Sequence, residues 1–114
     1  MMGYEKIRIV ACPVDRPPYI TFISNTLENM QRFIGGYIEA VNLATDCVVI
    51  CDEEGRLKGL PENPSAVPGL VGDVFYVGCK GDEFTDLGVA QAQELLRMSK
   101  NRYGKNHDTA AVSG

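Results

Sequence analysis

The chain has no tryptophan, a single histidine and no long apolar run, and each shortage removes a class of function. With His107 alone, neither a histidine-dependent triad nor a histidine-rich metal site can be assembled. No stretch approaches the roughly 18 consecutive apolar residues of a membrane helix. The opening MMGYEKIRIVAC meets Pro13 and Asp15 before it could form a signal peptide. A cytoplasmic chain without a membrane partner is therefore expected. Basic charge is also short: 11 Lys and Arg against 15 Asp and Glu give a net charge of -4, which argues against a nucleic-acid backbone as the main partner. The glycine-rich phosphate loop with its following Lys-Ser or Lys-Thr is missing too, so a nucleoside triphosphatase is not expected.

What is present fits one small domain. A chain of 114 residues, 45% hydrophobic, can bury one core but not two ordinary ones. Cys12, Cys47, Cys51 and Cys79 each sit in an apolar, strand-like run, which favours buried reduced thiols over a disulfide framework. Four residues along a strand put Cys47 and Cys51 on one face about 13 Å apart, too far to clamp one metal ion.

Pattern and punctuation give the elements. Residues 6–12, 18–23, 37–43, 47–51 and 73–79 read as strands from their β-branched and aromatic content and the turn residues between them. Leu27, Met30, Phe33 and Ile34 have helical spacing, with Asn25 and Glu28 placed as a capping pair and Gly35-Gly36 as the stop. Lys80 to Glu83 reads as a turn, after which Thr85 or Asp86 caps a final helix ending near Tyr103. Residues 56–72, with three prolines and three glycines, read as an irregular surface excursion, either functional or holding a helical turn near Leu60 to Asn63. The expected fold is α+β: one domain over 1–105, a mainly antiparallel sheet in the order β-β-α-β-β-β-α, both helices on one face, and a flexible tail over 106–114.

Candidate chemistry is sparse. The acids Asp52, Glu53, Glu54, Asp73, Asp82 and Glu83 fall at turns, whereas acid–base work by a carboxylate pair needs burial or close like charge. The Asp52-Glu53-Glu54-Gly55 turn lacks the ligand spacing of a calcium loop. In GGYIEAVNL, alternation puts Tyr37, Glu39, Val41 and Leu43 on one face and Ile38, Ala40 and Asn42 on the other. Glu39 is therefore either an ordinary solvated strand residue, a buried acceptor, or a ligand or partner contact.

The string GYIEAVNLATDCVVICDEEGRLKGLPEN, from Gly36 to Asn63, resembles the signature of a small family described only as a domain of unknown function. That family is carried by bacteriophages, conjugative elements and Gram-positive bacteria. The resemblance extends from the N-terminal strand through GDVFYVGCKGDEFTDL to about Leu96. Asp52 departs from the family's usual asparagine, and Pro64 from the basic residue that often follows Asn63. The resemblance implies a phage or mobile-element setting and lends no activity.

Two readings follow. The first is a non-enzymatic accessory protein that binds a host protein or its own copy, with homodimerisation through exposed strand edges. The second is a module for a small ligand or nucleotide lined by Tyr37, Glu39, Glu53 and Asn63. Neither requires a cofactor or a metal. A hydrolase using the turn carboxylates is the least favoured reading.

Overall fold

The computed structural model describes residues 5–113, with side chains through residue 106. Residues 1–4 and 114 and the side chains of residues 107–113, that of His107 among them, lie outside the described part. Eight elements follow in chain order: β1 (Lys6–Cys12), β2 (Tyr19–Ser24), α1 (Leu27–Ile34), β3 (Ile38–Ala44), β4 (Cys47–Asp52), β5 (Val74–Lys80), β6 (Glu83–Thr85) and α2 (Val89–Ser113). All pairings are antiparallel, in the spatial order β2-β1-β5-β4-β3, with β6 beside the far end of β5. The α+β class and the antiparallel sheet are as expected. β6 is an addition: only Gly81 and Asp82 turn, and the next three residues pair back on β5.

The helices do not share a face. On one side Ile7, Ile9, Ala11, Val48, Ile50, Phe75 and Val77 pack beneath Met30 and Ile34 of α1. The alternate residues Val10, Cys12, Val49, Cys51, Val74 and Tyr76 meet Ala92, Leu95 and Leu96 of α2 and Ala66 and Leu70 of the excursion. The reason lies in β4 and the first part of β5, where every residue is buried. A strand apolar on both faces must be covered twice, and one layer of helices leaves half of CVVIC and VFYV wet. Burying each of these large side chains contributes about 1.5–3 kcal/mol.

Local signals also resolve differently from the sequence reading. Thr26, not Asn25, caps α1: its Oγ1 accepts the Asn29 N–H at 3.2 Å. Asn25 instead donates to the Phe84 carbonyl at 3.0 Å, tying β2 to β6. Asp86 does not cap α2. Its carboxylate accepts the Arg8 backbone N–H at 2.6 Å, and the Leu87 N–H donates to the Arg8 carbonyl, so this segment completes the β1 ladder beyond β5. Gly35, at φ 89°, ends α1 in the left-handed conformation. The backbone of α2 continues well past Tyr103, and Asn106 hooks its side chain onto the Pro64 carbonyl at 2.8 Å.

Candidate functional site

The excursion between β4 and β5 is ordered by its own hydrogen bonds. A turn with the Lys58 N–H on the Glu54 carbonyl opens it, and a single bridge between Glu62 and Val71 closes it. The helical turn therefore precedes Leu60. Asn63 sits at the centre. Its amide donates to the Cys12 carbonyl (2.7 Å) and the Gly72 carbonyl (2.8 Å), while its Oδ1 accepts the N–H groups of Ser65 and Ala66, both at 2.9 Å. That uses both donors and both lone pairs of the side chain. Asn63 is buried and serves as a cross-brace between β1 and the loop.

A second brace joins the start of the excursion to α1 and β4. The Asp52 carboxylate is 2% exposed, receives Lys58 Nζ at 2.7 Å and accepts the Glu54 N–H at 2.8 Å. The Lys58 hydrogen bond first, and the Glu54 N–H with the lysine charge after it, hold its carboxyl below the usual carboxylate range against the opposing cost of burial. Asp52 is thus not the solvated turn acid the sequence indicates. Lys58 also donates to the Gly35 carbonyl at 3.3 Å. A Cβ on Gly36 would stand 2.5 Å from Lys58 Nζ and 3.0 Å from the Asp52 carboxylate, so glycine there is what lets the pair close. Much of the GYIE to LPEN string is accordingly spent on architecture.

The four candidate residues are only partly brought together. Glu39 and Glu53 share a cleft of about 260 Å³ with Val41, Glu54, Arg56 and Leu70. The Arg56 guanidinium in that cleft donates to the Gly69 carbonyl. Tyr37 lies on a separate open depression with Arg32 and Lys58, and Asn63 borders a third hollow near Pro64 and Arg102. Glu39 is exposed, because β3 is an edge strand: its face carries Val41 partly into the core and leaves the carboxylate in water. The buried-acceptor alternative is the one removed. Among the described residues, no group of three His, Cys, Asp or Glu side chains could hold a metal ion. Burial is the first cause that pushes the thiols of Cys12 and Cys47 up to about 11 each, which leaves them poor nucleophiles.

The feature that sequence pattern could not expose is the outer edge of β3. The Glu53 N–H donates to the Tyr37 carbonyl at 2.9 Å, and the register pairs Glu39 with Cys51 and Val41 with Val49. In an antiparallel ladder bonded residues alternate. Tyr37, Glu39 and Val41 therefore bond inward to β4, while Ile38, Ala40 and Asn42 direct their N–H and C=O groups away from the sheet. Five of the seven β3 residues are exposed. Around the strand stand Tyr37 (66% exposed), Leu43 (41%) and Leu57 (88%). The strand contains no proline and no lysine, and Glu39 is its only charge, so the usual devices that blunt an edge are few.

A family model described as Domain of unknown function (DUF3846) matches residues 7–100. No curated protein and no solved structure matches the chain. No helix among the described residues is long and apolar enough to cross a membrane.

Proposed function

The chain belongs to the family described as Domain of unknown function (DUF3846), and on that premise, which brings no activity with it, we propose that it is a non-enzymatic accessory module acting by protein–protein contact. The observation that carries the reading is the β3 edge, with three outward backbone rungs and exposed Tyr37 and Leu43 beside them. An extended segment added to such an edge gains main-chain hydrogen bonds, and side chains on either face supply selectivity. The non-enzymatic part is supported by where polar groups are spent. Asn63 is saturated, Asp52 is tied to Lys58 and pushed away from general-acid behaviour, and the buried thiols are raised. Free cysteines, with Cys12, Cys47 and Cys51 buried and Cys79 partly so, fit a reducing compartment such as a cytoplasm. The resemblance to proteins of phages and conjugative elements supports a mobile element as the setting, and the partner we propose is a host protein or the chain's own copy.

Site-specific photo-crosslinking in the producing cell tests this. A photoreactive residue in place of Asn42 should give discrete crosslinked bands that Ala40→Pro abolishes, while the same probe at Lys100 on α2 gives none. Equal yields at the two sites would remove the proposal.

The alternative, a small ligand held by Glu39 and Glu53, keeps the support that these two acids share one cleft. At about 260 Å³ the cleft falls below the roughly 300–1,000 Å³ of ordinary ligand pockets, and Tyr37 and Asn63 lie outside it. A thermal-shift series with polyamines, which suit paired carboxylates, decides it: a flat series leaves the protein-contact reading alone.

A further inference from the structure

From the ladder phase and the side chains of β3, we propose that the segment docking on this edge is β3 of a second copy, in one definite register. The inference rests on the edge being a docking surface and adds its occupant. A closed two-fold pair about an axis normal to the sheet is necessarily antiparallel. Opposing strands can bond only where outward residues meet outward residues, which here means Ile38, Ala40 and Asn42. Placing the axis at Ala40 opposes Ile38 with Asn42 of the second copy, Ala40 with its own counterpart, and Asn42 with Ile38. All three outward rungs are then used, each opposed pair exchanging two bonds.

The same register treats the side chains well. Tyr37 then falls at the end of the seam where Leu43 of the second copy stands, in the register shift that ends the regular ladder, so the two large exposed apolar groups are brought to the same ends of the paired strands. Glu39 falls opposite Val41, so no carboxylate faces another. Shifting the axis one residue toward the N-terminus sets Glu39 directly against Glu39, a destabilising like-charge pair, and loses a rung. Shifting it one residue the other way pushes Ile38 onto Ala44, beyond the register shift that interrupts the ladder between Asn42 and Ala44. Ala40 is the centre that satisfies backbone, charge and apolar cover together, and the small alanine on the axis sets no bulk between the strands. The product is a continuous sheet through both copies.

The test uses the full chain. Native mass spectrometry and sedimentation over a concentration series should give a species at twice the 12.5 kDa chain mass. Ala40→Pro should return it to the monomer mass with unchanged circular dichroism, because the Ala40 N–H has no partner within the sheet. Ala40→Cys should form a covalent dimer under mild oxidation, since opposed Cα atoms about 5.5 Å apart lie within disulfide reach. Tyr37→Cys, far from the axis, should not, and the wild type gives the background from its own four cysteines. A wild-type chain monomeric at every concentration, a dimer undiminished by Ala40→Pro, or crosslinking at Tyr37 in place of Ala40 would each overturn the proposal. If Ala40→Pro fails to fold, the cysteine pair decides alone. A monomer that still photo-crosslinks to a different protein through Asn42 removes the second copy as occupant and leaves the edge as a docking surface.

Discussion

The sheet has two edges, and they are finished differently. In β2 the Asn25 N–H on the Glu5 carbonyl sets the ladder phase, so Ile20, Phe22 and Ser24 point their backbone groups outward, as Ile38, Ala40 and Asn42 do in β3. Each edge therefore offers three rungs. β2 has cover: both helices pack against it, only Phe22 among its residues is exposed, and Arg8 and Arg16 stand over the rings of Phe22 and Tyr19 at 5.0 and 5.9 Å. A cation beside an edge makes addition of another strand costly. β3 has no cation of its own and is exposed along most of its length. Two strands alike in hydrogen-bonding capacity thus differ in availability, and the difference lies in what their neighbours place around them.

The largest effect should come from Asn63→Ala, which disturbs the excursion flanking β3 and leaves β2 alone. It strips partners from two buried carbonyls and two N–H groups, at about 3 kcal/mol in total once water recovers some of them. Amide exchange should accelerate in 62–72 while β2 amides hold. Uniform acceleration across both edges would mean that the excursion is not a separate brace.

Proline placed along β3 reads the ladder phase directly. Val41→Pro removes a bond to β4 and should cost about 2–3 kcal/mol, whereas Ala40→Pro, whose N–H points outward, should cost under about 1 kcal/mol. Chemical denaturation of both variants gives the contrast, and equal losses would contradict the phase assigned to the edge.

Smaller again is Asp52→Asn, at about 1–2 kcal/mol near neutral pH. The sign follows from the direction of the shift: the carboxyl is held below its usual range in the folded chain. Its contribution is therefore full above the unfolded value of about 3.9 and fades as pH falls through the lower folded one. Thermal melts of wild type and variant should differ at pH 7 and converge in strong acid. A constant gap would assign the effect to packing and not to charge.

Arg8→Ala should have the smallest effect on stability, about 1 kcal/mol from the lost ring contact and its 2.8 Å bond to the Leu87 carbonyl. Its value lies in association. With that cation gone, β2 should begin to self-associate at high concentration by light scattering, and an unchanged variant would mean that helix cover alone protects that edge.

Much of the fold was legible in the residues. Strand-forming runs, the Gly35 stop and the hairpin from β3 into β4 all follow from local chemistry, because each depends on neighbours in sequence. The helices' placement on opposite faces was also written there, in the unbroken apolar runs CVVIC and VFYV, although period-2 reasoning about a half-wet sheet overlooked it. The candidate site was less legible. Asn63 stood out, but its saturation by Cys12 and Gly72 joins positions 51 and 9 residues away. The Asp52–Lys58 pair depends on space above Gly36 that no spacing rule reports. Exposure of Glu39 turned on which strand lies outermost.

What the sequence alone determined is local: the strand-forming runs, the glycine stop of α1 and total apolar content, since these depend on side chains within a few bonds of the groups they act on. What only the tertiary structure decided is strand order, and with it which three backbone rungs remain unpaired. Two strands of similar composition carry the same donors and acceptors, and only the arrangement of the neighbours determines whose are used.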